Sequence, residues 1–586
     1  MVGTQAAPPE LHRGGASGAP VAATLGRPVG GGWFAPSRHS TGSRDRNNMS
    51  GSNTTRMLPS PDIPTAIVFT IATLLILVLL HLKRAAPRER GVGCQLPPGP
   101  ATLPLIGNMH QMIWSKPGVF RWIHRLLSEM GTDILCLRLG ATHVVAVSSP
   151  EIAREFLRKK DAMFTGRPAT LASNLFSYGY KCASLAIQEH KWQKMKRIVA
   201  AEILSLALDR RLHVQRQQEA DHLIRYVYAE INAGLGGSIN LRHVTQHFCA
   251  NMIRRLVLGK RHFSESPGTM MAGHHEVEHV QALFTLVEYM YGFCLSDYFP
   301  ALVGFDLDGH EKVAKRVISV LERLHDPIIQ ERMLEWSNYR RKGCSKRDAA
   351  DFLDVLISLE DADGQQLLSP EEIKAQVVEM LFAAIDNPSN AVQWALAEMM
   401  NRPRIMQKAV DELDQVVGKE RLVQESDICK LNYLKSCIRE AFRLHPYHAF
   451  TVPRVAIQDT VIAGYTIPKG THVLLSRIGL GRNAKAWNEP LQFQPERHLT
   501  DGDVDLTETD LRFISFSAGR RGCPAASLGT SITMMLFARL LQGFTWAKLP
   551  GVDRINLQEA RNSLVLAEPL VLLAKPRLGE HLYEVN

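Results

Sequence analysis

One thiol stands in surroundings that a merely structural cysteine does not need. Cys523 lies within Phe516-Ser517-Ala518-Gly519-Arg520-Arg521-Gly522-Cys523-Pro524-Ala525, where two glycines and a proline specify an irregular loop rather than a strand or helix. Ala525-Ala526-Ser527-Leu528-Gly529 and the apolar run Met534-Met535-Leu536-Phe537 then read as a helix. A thiolate at a helix N-terminus beside arginines is stabilised by the dipole and by backbone N–H groups. That chemistry suits an axial ligand to haem iron, whose electronics are tuned by hydrogen bonds to the sulfur. A lone buried cysteine is the bland alternative; the spacing F-x-x-G-x-R-x-C-x-A favours the ligand.

A second candidate group is Ala384, Asp386 and Asn387, just before Pro388. Ser369-Pro370-Glu371-Glu372 is a capping box, and Ile373, Val377, Leu381, Ile385, Val392, Leu396 and Met399 continue an apolar stripe toward Arg402-Pro403. The spacing predicts one long helix broken mid-way at Pro388, which has no N–H for the carbonyl of Ala384, at a cost of about 3 kcal/mol or more. The break is either a plain proline kink or a notch where a small polar ligand meets Ala384, Asp386 and Asn387. A third group is Glu440-x-x-Arg443 on a helix running from Leu431 to His445. Alone it reads as a surface ion pair; Arg497, in Phe493-Gln494-Pro495-Glu496-Arg497, offers to complete a buried network.

The elements that must position these groups are mostly helical. Ile134–Leu139, a Gly140 turn and Val144–Val147 read as β, and Ser149-Pro150-Glu151 opens a helix. From there to about residue 445 strand signals are few, so the fold class is mainly α with small β-sheets. The chain has 586 residues, 45% hydrophobic and 22% charged, with Lys+Arg 68 against Asp+Glu 58 giving +10. Those values exclude disordered, collagen-like and polytopic membrane chains. Nine cysteines without C-x-x-C spacing support neither a zinc knuckle nor a disulfide scaffold, and fit a cytosol-facing body.

Four segments emerge. Residues 1–56 read as a disordered or mis-started extension, with Met49 or Met57 as the true start and a transit peptide as the other option. Residues 57–90 hold a single uncleaved anchor: Ile63–Leu82 carries no charge over a length sufficient to span a bilayer core. Lys83, Arg84, Arg88 and Arg90 follow it, which places the body in the cytosol. Residues 91–108 are a proline-rich hinge, and 109–586 form the globular domain.

With the cysteine loop, Glu440-x-x-Arg443, Pro495-Glu496-Arg497, the Pro-Pro-Gly-Pro hinge and the anchor in this order, the sequence resembles the cytochrome P450 family. The resemblance implies the P450 fold and a haem-thiolate monooxygenase with Cys523 as the metal's axial ligand. It implies haem b, O2 and electrons from NADPH through a membrane-bound P450 reductase, and residence in the endoplasmic reticulum membrane; no nucleic acid is involved. Arg521, Trp192 and Arg454 match positions that hold the haem propionates, and Lys196 sits where the family usually has Arg. A lysine there is a point donor rather than a fork.

Asp386-Asn387-Pro388 departs from the usual acid-Thr pair and is similar to the plant amino-acid N-monooxygenases, as are His445-Pro446-Tyr447-His448 and Pro495-Glu496-Arg497-His498-Leu499. Their reaction is two N-hydroxylations of an L-amino acid, then loss of water and carbon dioxide to give an aldoxime. Phenylalanine, tyrosine or tryptophan is the expected substrate. Asn387 then takes the role of the usual Thr as hydrogen-bond partner where oxygen is activated, and Asp386 guides protons. Thr451-Val452-Pro453-Arg454 replaces that subgroup's Asn-x-Pro-His, and Pro524 replaces an aliphatic residue, so Thr451 and Val452 are the substrate-side candidates. A carbon-hydroxylating plant P450 of another substrate is kept open by that departure, and a reductase-independent haem-thiolate isomerase or dehydratase by the missing Thr. A non-catalytic haem-binding or membrane-scaffold protein stands last. Lys191, Lys194, Lys196 and Arg197, with Arg520 near Cys523, form either a solvated basic face or a dock for an acidic reductase.

Overall fold

Alternating apolar residues fix the first ordered elements. In the computed structural model, which describes residues 95–116, 118–233, 236–261, 274–290, 292–341, 348–499, 502–584 and, upstream, Thr73 alone, β1 (Ile134–Leu139) and β2 (Thr142–Val147) pair antiparallel, Ile134 opposite Val147. The extension, nearly all of the expected anchor and the first residues of the hinge lie outside the described residues. Among the described residues no helix is long and apolar enough to cross a membrane.

The described residues belong to one unit, Ala72–Asn586, and most of it is helix. The helices that matter for the site are α1 (Glu189–Ile198), α2 (Leu241–Leu258), α3 (Pro370–Ala383), α4 (Asp386–Met400), α5 (Asn432–Leu444) and α6 (Ala526–Gly543). Two short strands, β3 (Arg454–Val455) and β4 (His472–Leu475), complete the first sheet in the order β1-β2-β4-β3, with β4 parallel to β2 and antiparallel to β3. Ser238–Asn240, Val571–Pro576 and Phe544–Ala547 make a three-stranded sheet, and Thr460–Ile462 pairs with Tyr465–Ile467.

α4 lies at the centre of the main core. From Ala391 to Met400 every residue is buried; eight are apolar, and Glu398 is paired with His445 and Arg402. Trp394 donates its indole N–H to the carbonyl of Leu564 and stacks flat on His445 at 3.8 Å. Thr245 of α2, Ser389 and Gln393 form a closed hydrogen-bonded cluster at 2.7–3.1 Å that satisfies the polar atoms packed beside it. The capping box holds: Glu372 N–H donates to Ser369 Oγ at 3.3 Å and Ser369 N–H to Glu372 Oε2 at 2.9 Å.

One expectation is corrected here. The single helix kinked at Pro388 is two helices, with the break at Ala384 and Ile385. Pro388 falls in the first turn of α4, where a backbone N–H has no intrahelical acceptor, so the proline costs the helix little.

Candidate active site

Burial along the broken helix is interrupted at Ala383, Ala384 and Asn387, although the neighbouring residues are sealed in the core. These three residues open onto a cavity of ≈ 300 Å³ that also meets Asp386, Pro388, Thr451, Val452 and the Cys523 loop. Cys523 is exposed, yet its surroundings are deep protein: the surface it presents is the cavity floor. Cys136, Cys182, Cys249 and Cys437 are by contrast buried in packing.

The loop is held from outside. Cys523 N–H donates to Phe516 O at 2.8 Å, and Asp161 accepts the N–H of Arg520 at 2.7 Å. Gly519 has φ +74, and a Cβ there would lie 2.5 Å from Leu157 O and from the Asp161 carboxylate, so no other residue fits. Ala525 is the N-cap of α6, which places Cys523 just before the helix N-terminus. Burial pushes the Cys523 thiol up; the Ala525 N–H, which hydrogen-bonds the sulfur, and the charge of Arg477 pull it back. Coordination to a metal would deprotonate such a thiol.

The notch contains a second buried acid. Burial raises the Asp386 carboxyl well above the usual range, opposed by a hydrogen bond with Tyr447. Burial thus favours its protonated form, beside Asn387, whose amide both donates and accepts without titrating.

The cavity's other end is cationic. Arg521 donates to the carbonyls of Thr165, Ala183 and Ala186 at 2.8–3.4 Å, with its guanidinium 4.2 Å over the Trp192 ring. Arg454 pairs with Asp161 at 2.6 Å and donates to Ala518 O. Lys196 reaches Arg520 O at 2.5 Å and lies 5.4 Å over Trp192. Arg167, which the sequence reading missed, donates to the carbonyls of Ser184, Val452 and Pro453 and lines the same wall. Its only sequence signal is the short Gly166-Arg167-Pro168, which names no function.

Burial, then the like charge of Arg454, lowers Arg521 to about 10. A buried arginine shifted this way marks a site with surplus positive charge, which an anion relieves. A soft sulfur on the floor, an apolar chamber and a surplus of guanidinium at one end fit haem and its two carboxylates. Cys523 would hold the iron; Arg521, Arg454, Arg167, Lys196 and Trp192 would hold the propionate end.

The family model for cytochrome P450 matches residues 97–574. The chain belongs to the cytochrome P450 family. As a P450 monooxygenase it uses haem iron, O2 and reductase-derived electrons, the bound haem supplying the oxygen-activating chemistry. The P450 is similar to a tyrosine N-monooxygenase of Sorghum bicolor, 51% identical over 90% of this chain and 97% of the relative. It is also similar to valine N-monooxygenase 1 of Manihot esculenta, 46% identical over 91% and 98%. A solved structure of a zebrafish cytochrome P450 with progesterone shares the fold at TM-score 0.64, with 24% identity, covering 78% of this chain and 99% of that one.

Beside the P450's cavity, the Glu440–Arg443 pair is no surface feature. Both side chains are fully buried, joined by two hydrogen bonds of 2.7 Å. Arg497 joins Glu440 at 3.1 Å, and Arg443 also donates to Pro490 O and Gln492 O. Two members were missed. His498 meets Glu440 Oε2 at 2.7 Å, and the Gln494 N–H donates to Oε1 at 2.9 Å. Burial opposes ionisation of Glu440, but the bonds from Arg443 and His498 prevail and lower its carboxyl to about 2.

Proposed function

We propose that this P450 converts an L-amino acid to its aldoxime by two N-hydroxylations followed by dehydration and decarboxylation, with an aromatic amino acid as substrate. One observation carries the reading: the Asn387-Pro388 signature stands in the cavity wall, in a chain 51% identical to a tyrosine N-monooxygenase. The valine-named relative, only slightly less similar, makes the side-chain preference the finer point. Electrons are proposed to come from NADPH through a plant P450 reductase.

The proposed site of action is the endoplasmic reticulum membrane, with Ile63–Leu82 as a single span and the body in the cytosol. An exposed apolar patch supports contact with lipid. Trp114 is 79% and Phe305 71% exposed, Ile113, Val303 and Leu307 are exposed beside them in sequence, and the Lys116–Asp308 ion pair brings the two segments together.

The test is expression of the full chain in membranes with a plant reductase and NADPH, feeding each protein amino acid and measuring aldoximes. Formation of one aldoxime, from tyrosine, phenylalanine or tryptophan, is the expected result. No aldoxime from membranes showing an intact thiolate-haem spectrum would overturn it and leave carbon hydroxylation, favoured by the altered Thr451–Arg454 segment. Asn387→Ala is expected to uncouple the enzyme, with NADPH oxidation continuing while product falls about tenfold or more, in line with the usual weight of a positioned polar group. Unchanged coupling would remove Asn387 from the chemistry.

A further inference from the structure

An amino acid enters this chamber with a carboxylate that water no longer solvates, and a buried charge needs a hydrogen-bonding partner. The cations at the propionate end are those that would hold the haem carboxylates, so a substrate carboxylate needs partners elsewhere in the wall. A different part of the wall offers another pair of groups. The segments 449–451 and 475–477 form a short antiparallel ribbon: Thr451 N–H donates to Leu475 O at 3.0 Å, Arg477 N–H to Ala449 O at 2.8 Å, and Phe450 bridges Ser476.

Alternation along such a ribbon sends Phe450 and Ser476 to one face, and Thr451 and Arg477 to the other. The first face is closed by His124, which stacks on Phe450 at 5.2 Å and meets the Ser476 hydroxyl. The second face lines the cavity. Thr451 and Arg477 are diagonal neighbours there, a relation that puts a long side chain within reach of its neighbour's ligand. Thr451 is only 3% exposed, and its Oγ1 has no hydrogen-bond partner among the described residues. A buried hydroxyl in that state costs free energy unless something fills it. Nearby His448 brings no competing positive charge, because burial, then the charge of Arg477, keeps its imidazole neutral.

We infer that Thr451 and Arg477 form the clamp for the substrate's α-carboxylate, the Thr451 hydroxyl donating to one carboxylate oxygen and the Arg477 guanidinium supplying the opposite charge. This deepens the amino-acid reading above and rests on it. The position where the plant N-monooxygenase subgroup has Asn thus becomes, through Thr451, the point at which this chain distinguishes an amino acid from the corresponding amine.

The test is substrate binding to the haem-loaded full chain, read from the change in haem absorbance. The probes are L-tyrosine, L-phenylalanine, L-tryptophan and L-valine, each beside its carboxylate-free amine, against wild type, Thr451→Val, Thr451→Ser and Arg477→Gln. Thr451→Val keeps the shape and removes the hydroxyl. It is expected to raise the Kd of the responding amino acid about tenfold, the usual weight of a hydrogen bond to a charged group, and to leave the amine unchanged. Thr451→Ser restores binding, and Arg477→Gln weakens the amino acid at least as much. Equal losses for amino acid and amine, or a loss of bound haem in either variant, would overturn the clamp and assign these residues to packing or to the propionates. A wild-type response that Thr451→Val and Arg477→Gln leave intact overturns the clamp alone. No wild-type response to any of the amino acids removes the amino-acid reading itself, and the clamp with it.

Discussion

A buried acid pushed toward its protonated form is a cost the fold carries for a reason. The Asp386 carboxyl is raised by burial, so the folded state holds its proton at pH values where the unfolded chain has released it. Stability contributed at this residue therefore falls as pH rises above the unfolded carboxyl value of about 3.9. Asp386→Asn removes that penalty. The holoenzyme variant is expected to melt higher than wild type at pH 7, with the gain vanishing near pH 4 and turnover reduced at both. Equal melting temperatures across that range would show that Asp386 is ionised in the fold. A gain in stability with a loss of turnover is the pattern of a residue kept for chemistry.

Between residues and whole molecule, the elements show why some features could be read from sequence and others could not. Local signals were legible: the Ser369 capping box places the start of α3 where it is found, and α5 ends one residue short of the expected His445. The break between α3 and α4 was legible too, but its position at Ala384 and Ile385, ahead of Pro388, was not. The break opens onto the chamber that Ala383, Ala384 and Asn387 line, and a proline pattern carries no information about a cavity. Pro388→Ala is accordingly expected to cost less than about 1 kcal/mol in chemical denaturation of the holoenzyme, because first-turn prolines take no hydrogen bond from a helix. A loss near 3 kcal/mol would mean that the ring itself maintains the break. Long-range partners were equally invisible. Nothing in the spacing of Glu440 and Arg443 announces His498, or Arg167 across the cavity wall, because only the fold brings together segments 58 and 285 positions apart. The network they form joins α5 to the turn at Pro495–His498. Glu440→Gln leaves the Arg443 guanidinium buried beside a neutral amide, and about 3–5 kcal/mol of stability is expected to be lost. The wild-type contribution is fully present above about pH 4.5 and fades as pH falls toward 2, since the folded carboxyl is the depressed one. Denaturation midpoints at pH 7 that coincide for the variant and wild type would refute that weight.

At the scale of the molecule, the basic residues around the Cys523 loop are proposed as the dock for the electron-donating reductase. The basic segment 191–197 reads in sequence as one cationic face, but the structure divides it. Lys194 turns to Glu372 at 2.9 Å and to Leu367 O, and Lys196 turns inward to Arg520 O, so neither is an unscreened surface charge. Arg197 remains exposed, as does the Arg520 side chain on the loop that carries Cys523. α1 and that loop are thus tied by the Lys196 contact, and their outward cations flank the segment that carries Cys523. An acidic reductase surface approaching there would be steered by a field that salt screens over roughly 10 Å at 0.1 M. Lys191→Glu with Arg197→Glu is expected to slow reduction of the haem by reductase about tenfold at low salt in stopped-flow measurements. Raising salt toward 0.5 M should slow the wild type, close most of that gap, and leave the haem spectrum of both proteins unchanged. Reduction rates that ignore both salt and charge reversal would place the electron entry elsewhere on the surface.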